Sequence, residues 1–125
     1  MSSLPARPVV WVEIPVRDLD AACRFYGDVF GWSFQRDSAP TNDFATIVAA
    51  EDAVAGHLYP GRPGAGAGAT IHLHAPDGLD ATADRLRAAG GTVLPIPPVD
   101  IPVGRFLYAE DPDGNSVGLF EPRAA

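Results

Sequence analysis

The sequence predicts an α+β domain built from two copies of one module, each running strand, helix and then about three strands. Three observations carry that expectation. The order of apolar patterns repeats, over 9–60 and again over 69–122, on either side of the Gly/Pro-rich stretch 60–68. Each half holds a single helical segment with an acidic residue at its start and glycine at its end. The chain then closes on Gly104–Pro122, two apolar runs around Asp111-Pro112-Asp113-Gly114-Asn115. Proline at the first central position, a glycine that tolerates positive φ, and side chains that bond their own backbone make that pentad a tight turn.

Taken in order, residues 1–8 read as a loose tail. Val9–Val16 is a strand with Val10, Val12, Ile14 and Val16 on one face and Trp11, Glu13 and Pro15 on the other. Asp18 is the N-cap of a helix reaching Phe30, whose Leu19, Ala22, Phe25, Tyr26, Val29 and Phe30 recur at helical spacing; Gly31 ends it. Trp32–Gln35 alternates as a short strand, and the polar stretch Arg36–Asp43, with Pro40, reads as a loop. Phe44–Ala50 and Ala53–Tyr59 give two further strands, joined at Glu51-Asp52. The segment 60–68 is a flexible linker. Its glycines are not a phosphate loop, because no lysine or helix start follows them. Thr70–Ala75 opens the second half as a strand. Asp80–Ala89 is its helix, with Leu79, Ala83 and Leu86 on one face and Gly90-Gly91 beyond. Thr92–Leu94 is a strand, Pro95–Pro102 a turn, and the hairpin finishes the chain.

Composition narrows the function classes. The 125 residues make one domain, and 46% hydrophobic with 20% charged content is ordinary for a globular protein. A formal net charge of -7 with no basic stripe argues against nucleic acid and anionic membrane surfaces. No apolar run is long enough to span a bilayer, and the N-terminus lacks a signal peptide's basic start and apolar middle, so the chain is read as cytoplasmic. The single cysteine, Cys23, leaves no internal disulfide and no thiolate metal cluster. A small-molecule or protein partner remains.

In detail the repeat resembles the vicinal oxygen chelate superfamily, the glyoxalase and bleomycin-resistance fold. The residues that carry the likeness are Asp18-Leu19-Asp20, Phe25-Tyr26 and Val29-Phe30-Gly31-Trp32 in the first half. In the second they are Leu86-Arg87-Ala88-Ala89-Gly90-Gly91 and Asp111 through Phe120. The subgroup it looks most like is the glyoxalase-like proteins of unassigned activity. The resemblance implies paired βαβββ modules whose curved mixed sheets enclose a ligand cavity, and a homodimer. It also implies, in metal-dependent members, one His, Glu or Gln ligand from the first and one from the last strand of each module.

Carried onto this sequence, those ligand positions fall on Trp11, Thr70 and Gly118, with the fourth near Gly56 or His57. Tryptophan and glycine offer no ligand atom and threonine is a poor one, so no metal cofactor is expected. Two residues further along each first strand stand Glu13 and His72, at matched places on the cavity wall. They read as an acid–base pair or a metal site shifted by one step, with His57 and His74 nearby, or as ordinary strand residues. Trp11, Phe106 and Tyr108 read as an aromatic lining and Arg105 as an anchor for an anionic group, whereas Trp32, Phe25 and Tyr26 belong to the core. Cys23, inside the helix among apolar neighbours, reads as inert, and Ser116 lacks the setting of a nucleophile. The function expected is binding of a small, largely apolar molecule in a cavity without the standard metal site. A metal-dependent lyase, isomerase or dioxygenase and an antibiotic-sequestering protein are the alternatives.

Overall fold

A computed structural model describes Leu4, residues 9–38 and residues 43–124. Most of the expected tail and the Pro40 part of the expected loop lie outside the described residues. The elements are β1 (Trp11–Val16), α1 (Leu19–Phe30), β2 (Phe34–Ser38), β3 (Asp43–Ile47), β4 (Ala55–Pro60), β5 (Ile71–His74), α2 (Leu79–Ala88), β6 (Thr92–Val93), β7 (Val99–Ile101), β8 (Gly104–Glu110) and β9 (Ser116–Pro122). They form two sheets of like topology, β1-β4-β3-β2 and β5-β9-β8-β6, with β7 also on β8. In each sheet the first strand runs parallel to the last strand of its module and every other pairing is antiparallel.

The helices form where caps and spacing agree. The Asp18 carboxylate accepts from the Ala21 N–H at 2.9 Å, and Gly31 closes α1 in the left-handed conformation at φ 78°. All six residues at helical spacing in α1 are buried. In α2, Gly78 supplies no side-chain cap. Glu121 of β9 does so instead, accepting from the Leu79 N–H at 3.0 Å while Arg105 Nε donates to its other oxygen at 3.2 Å.

Two segments differ from the sequence reading. The chain stays extended to Ser38, pairing β2 with β3, because an edge strand accommodates the polar Gln35, Arg36 and Asp37 that suggested a loop. Within the proline-rich turn, Val99, Asp100 and Ile101 pair with Phe106, Arg105 and Gly104. Pro98 and Pro102 lack an N–H, but the three residues between them keep theirs and complete a ladder.

One continuous core joins Ile14, Val16, Leu58 and the α1 face to Leu79, Leu86, Val117 and Leu119. Tyr26 stacks on Trp32 at 5.1 Å and 11° and meets Phe25 edge-on at 5.0 Å. Its hydroxyl donates at 2.8 Å to the buried Asp111 carboxylate. The same carboxylate accepts from the Asp113 and Asn115 N–H groups and from Asn115 Nδ2, which also donates to the Pro15 carbonyl. Burial first, then the Asp111 charge, hold the Tyr26 phenol well above its ordinary range, so it remains a donor and its contribution is present below that ordinary value. Among the described residues no helix is long and apolar enough to cross a membrane.

Tyr26→Phe should lower the unfolding free energy by about 1.5–3 kcal/mol, the loss of a buried hydrogen bond to a charged group. Urea denaturation with an unchanged slope checks this, and a change under about 0.5 kcal/mol would contradict the role given to Asp111. Glu121 is held below the usual carboxylate range, chiefly by the Leu79 N–H and then by Arg105. A depressed folded value gives stability that is present above the ordinary range and lost as pH falls through the folded one. Stability curves against pH should therefore show a shallower acid limb for Glu121→Gln than for the wild-type chain.

Candidate functional site: an open aromatic face

Alternation along paired strands gives each sheet one face toward its helix and one face free of it. On the first sheet the free face carries Trp11, Glu13 and Pro15 of β1, His57 and Tyr59 of β4, and Phe44 and Thr46 of β3. The register sets Glu13 beside His57 and His57 beside Thr46. Trp11 Nε1–H donates to His57 Nδ1 at 2.9 Å. The His57 ring also lies 5.3 Å from Phe44 and 5.9 Å from Tyr59, centre to centre. Trp11 keeps 47% of its surface exposed, an unusual amount for a tryptophan.

The second sheet repeats the arrangement with different residues. Its free face carries Thr70, His72 and His74, then Ser116, Gly118 and Phe120, then Phe106 and Tyr108. The Thr70 and Ser116 hydroxyls share a hydrogen bond. His72 stands edge-on to Phe106 at 4.5 Å and lies 6.2 Å from Tyr108. Desolvation by these neighbours lowers the His72 pKa, which favours a neutral imidazole at neutral pH even though part of the ring reaches solvent. The ring lies directly over Gly118: a Cβ there would meet His72 Nδ1 at 2.2 Å.

Registers settle the fourth ligand position that the family resemblance left between Gly56 and His57. In the second sheet Gly118 pairs with His72, two residues beyond Thr70. The matching residue of the first sheet pairs with Glu13, two beyond Trp11, and it is His57. The four positions are thus Trp11, His57, Thr70 and Gly118. These residues do not fit a metal: the one imidazole has its Nδ1 engaged by Trp11, and the space beside Gly118 is filled by His72. Among the described residues no three His, Cys, Asp or Glu side chains are placed to hold a metal ion.

Not every residue singled out in the sequence meets here. Trp11, Glu13 and His57 share the first free face, and His72, His74, Phe106 and Tyr108 the second, so that Glu13 and His72 stand on different sheets. Arg105 points the other way, toward α2, where it pairs with Glu121. Burial raises the Cys23 thiol pKa, the weaker influence of Arg36 notwithstanding, so it resists ionisation. Phe44 and Tyr59 join the site unannounced; only the register of short strands reveals them. Between the two sheets an apolar recess of about 670 Å³ is lined by Val12, Ile14, Trp32, Val54, Ile71 and, at one side, His72.

Residues 9–119 match the sequence profile described as the glyoxalase/bleomycin resistance protein/dioxygenase superfamily. A protein named "Putative glyoxylase CFP32" from Mycobacterium tuberculosis is 31% identical over 116 residues, 89% of this chain and 44% of that protein. The chain therefore spans less than half the length of that relative. A "Glyoxylase-like domain-containing protein" from Didymella fabae is also 31% identical, over 84% of this chain and 86% of its own length. Among solved structures, a glyoxylase/bleomycin resistance protein/dioxygenase domain from Frankia sp. EAN1pec superposes with a TM-score of 0.67 at 24% identity, covering 97% of this chain and all of that one (100%). TnmS3, an antibiotic binding protein from Streptomyces sp. CB03234, gives a TM-score of 0.63 at 25% identity over 97% and 100% of the two chains.

Gly118→Ala tests the close approach of His72. The added methyl group forces the ring off its seat, and the expected cost is about 1–3 kcal/mol of stability, with a displaced His72 ring resonance. An unperturbed His72 in the folded variant would show that the ring does not rest on Gly118.

Proposed function

Because the chain belongs to the glyoxalase/bleomycin resistance protein/dioxygenase superfamily, we propose that it uses the family's ligand wall to bind a small, largely apolar molecule without the usual metal. The observation that carries this reading is the identity of the four ligand positions: Trp11, His57, Thr70 and Gly118 turn a metal-binding wall into an aromatic and hydrogen-bonding one. Sites for small organic molecules are mostly apolar with a few placed polar groups. The free faces offer that mixture, and the 670 Å³ recess, which meets the second of them at Thr70 and His72, falls in the range of such pockets, about 300–1,000 Å³. The antibiotic-binding relative supports a version in which the ligand leaves chemically unchanged. The place of action proposed is the cytoplasm, as a homodimer whose second copy covers the open face; the exposed Trp11 at the start of β1, with Val9 and Val10 just before it, supports that covering.

A catalytic version has its own support. Glu13 and His72 occupy matched positions in the two modules, and a neutral imidazole suits proton transfer next to a carbonyl. No step in it runs through a metal.

Two measurements test the proposal together. Calorimetric titration of the apo chain with Zn²⁺, Ni²⁺, Mn²⁺ and Fe²⁺ should show no site, and one metal bound stoichiometrically would overturn the metal-free reading. Flat aromatic compounds should quench Trp11 fluorescence, and Trp11→Ala should weaken their binding by about tenfold or more. Glu13→Gln separates the versions: unchanged binding with no turnover to lose supports sequestration, and retained binding with lost turnover supports the enzyme.

A further inference from the structure

Trp11 and His57 together form a device that neither strand shows alone. Nδ1 of His57 accepts the indole N–H of Trp11 at 2.9 Å. A nitrogen that accepts carries no proton, so the neutral ring must keep its proton on Nε2. That second nitrogen has no hydrogen-bond partner among the described residues, and no polar side-chain atom is buried without one. Nε2–H is therefore an accessible donor on the free face, ringed by Phe44 and Tyr59 and one strand away from Glu13.

We infer that Trp11 is a positioning residue that locks His57 in the Nε2–H tautomer, and that this N–H receives the oxygen of a neutral carbonyl group on an aromatic ligand. The role rests on the small-molecule reading given above. Where the family resemblance puts a cation to attract a ligand oxygen, this chain supplies a single oriented N–H. The class of oxygen follows from the surroundings. Glu13 sits beside His57 in register, and the chain carries a formal charge of -7, so a carboxylate or phosphate oxygen meets repulsion at this donor. A ketone or amide oxygen does not, and the Trp11, Phe44 and Tyr59 rings supply the surface on which an attached aromatic group lies.

The first arm of the test needs no ligand. Two-bond ¹H–¹⁵N correlation spectra of the ¹⁵N-labelled chain should show one histidine, identified by its loss in His57→Gln, wholly in the Nε2–H form. Trp11→Phe should convert it to a mixture of tautomers. An Nδ1–H ring or a mixture in the wild-type chain, or no change in Trp11→Phe, overturns the inference. The second arm compares 2-acetylnaphthalene, 2-ethylnaphthalene and 2-naphthoate by chemical-shift titration of the His57 and Trp11 resonances. The ketone should bind about three- to tenfold more tightly than the hydrocarbon, the worth of one hydrogen bond, with the carboxylate weakest. His57→Phe should abolish that preference while still binding the hydrocarbon. Equal affinity of ketone and hydrocarbon for the wild-type chain overturns the role of the N–H. Failure of all three probes to reach this face overturns the small-molecule reading itself, whereas a wrong tautomer with probes still bound overturns this inference alone.

Discussion

The Asp111 carboxylate is the constraint on which the relation between the two modules depends. Its two oxygens accept four hydrogen bonds: Oδ1 from the Asp113 and Asn115 backbone, Oδ2 from the Tyr26 hydroxyl and the Asn115 carboxamide. A carboxylate buried to 4% exposure is tolerable only when its lone pairs are met this fully. The consequence reaches past the turn. Tyr26 belongs to α1, and Asn115 spends its other amide proton on Pro15 of β1, so one buried group ties the last hairpin of the second module to the first helix and first strand of the first. Among the described residues no ladder joins the two sheets. The polar node, the α1–α2 contact and the shared core hold β1 and β5 in their relative places, and with them the two aromatic faces. The exposed pair Arg17–Asp113 lies beside the node and adds little, since ion pairs in water contribute about 0–1 kcal/mol.

That frame explains why the site's chemistry can change while the fold does not. Residues on the helix-facing side of each strand are fixed by packing density, where a lost or gained methylene is felt at once. Residues on the free face answer to their neighbours on that face, as Gly118 does to His72, and not to the helix beneath. Trp11 and Gly118 are therefore compatible with the same strands that hold metal ligands elsewhere in the family. The two replacements are complementary in volume. A large indole on β1 engages the imidazole of β4, and the missing side chain on β9 gives the imidazole of β5 a place to lie. Each module thus has a histidine on its free face that meets the adjoining strand, His57 at Trp11 and His72 over Gly118.

Local chemistry made most of the fold legible in the sequence. Asp18 and Gly31 mark the ends of α1 because capping is decided within a few residues, and its six buried positions follow from helical period alone. The pentad 111–115 announced a turn for the same reason, but not that Asp111 would be buried and bonded to a tyrosine 85 residues away. Strand β7 was hidden because proline content speaks for turns, and the ladder that overrides it comes from β8. At the site, alternation placed Trp11 and Glu13 on one face. The partners of that face depend on register between strands far apart in sequence, which alternation cannot supply. Alternation therefore leaves the choice between Gly56 and His57 open and gives no sign of Phe44 and Tyr59, which the registers supply. Arg105 shows the same blindness, since its side of β8 is set by pairing with Glu121.

Charge is where the departure from the family pattern bears most on chemistry. A divalent ion is the largest local charge in any site that holds one, and it draws anionic oxygens and stabilises charge that develops on them. With Trp11, Thr70 and Gly118 in three of the four positions, that positive charge has no seat on this wall. What remains there is the Glu13 carboxylate, a His72 whose pKa partial desolvation lowers, and aromatic rings, on a chain already at -7. Such a surface repels the anions a metal centre would attract. The ligand proposed above, a neutral aromatic molecule, fits that balance, since its face would meet the rings and its polar atom one oriented donor. An indole, a hydroxyl and a hydrogen stand where the family resemblance puts three ligands, and the charge that the wall can present changes with them.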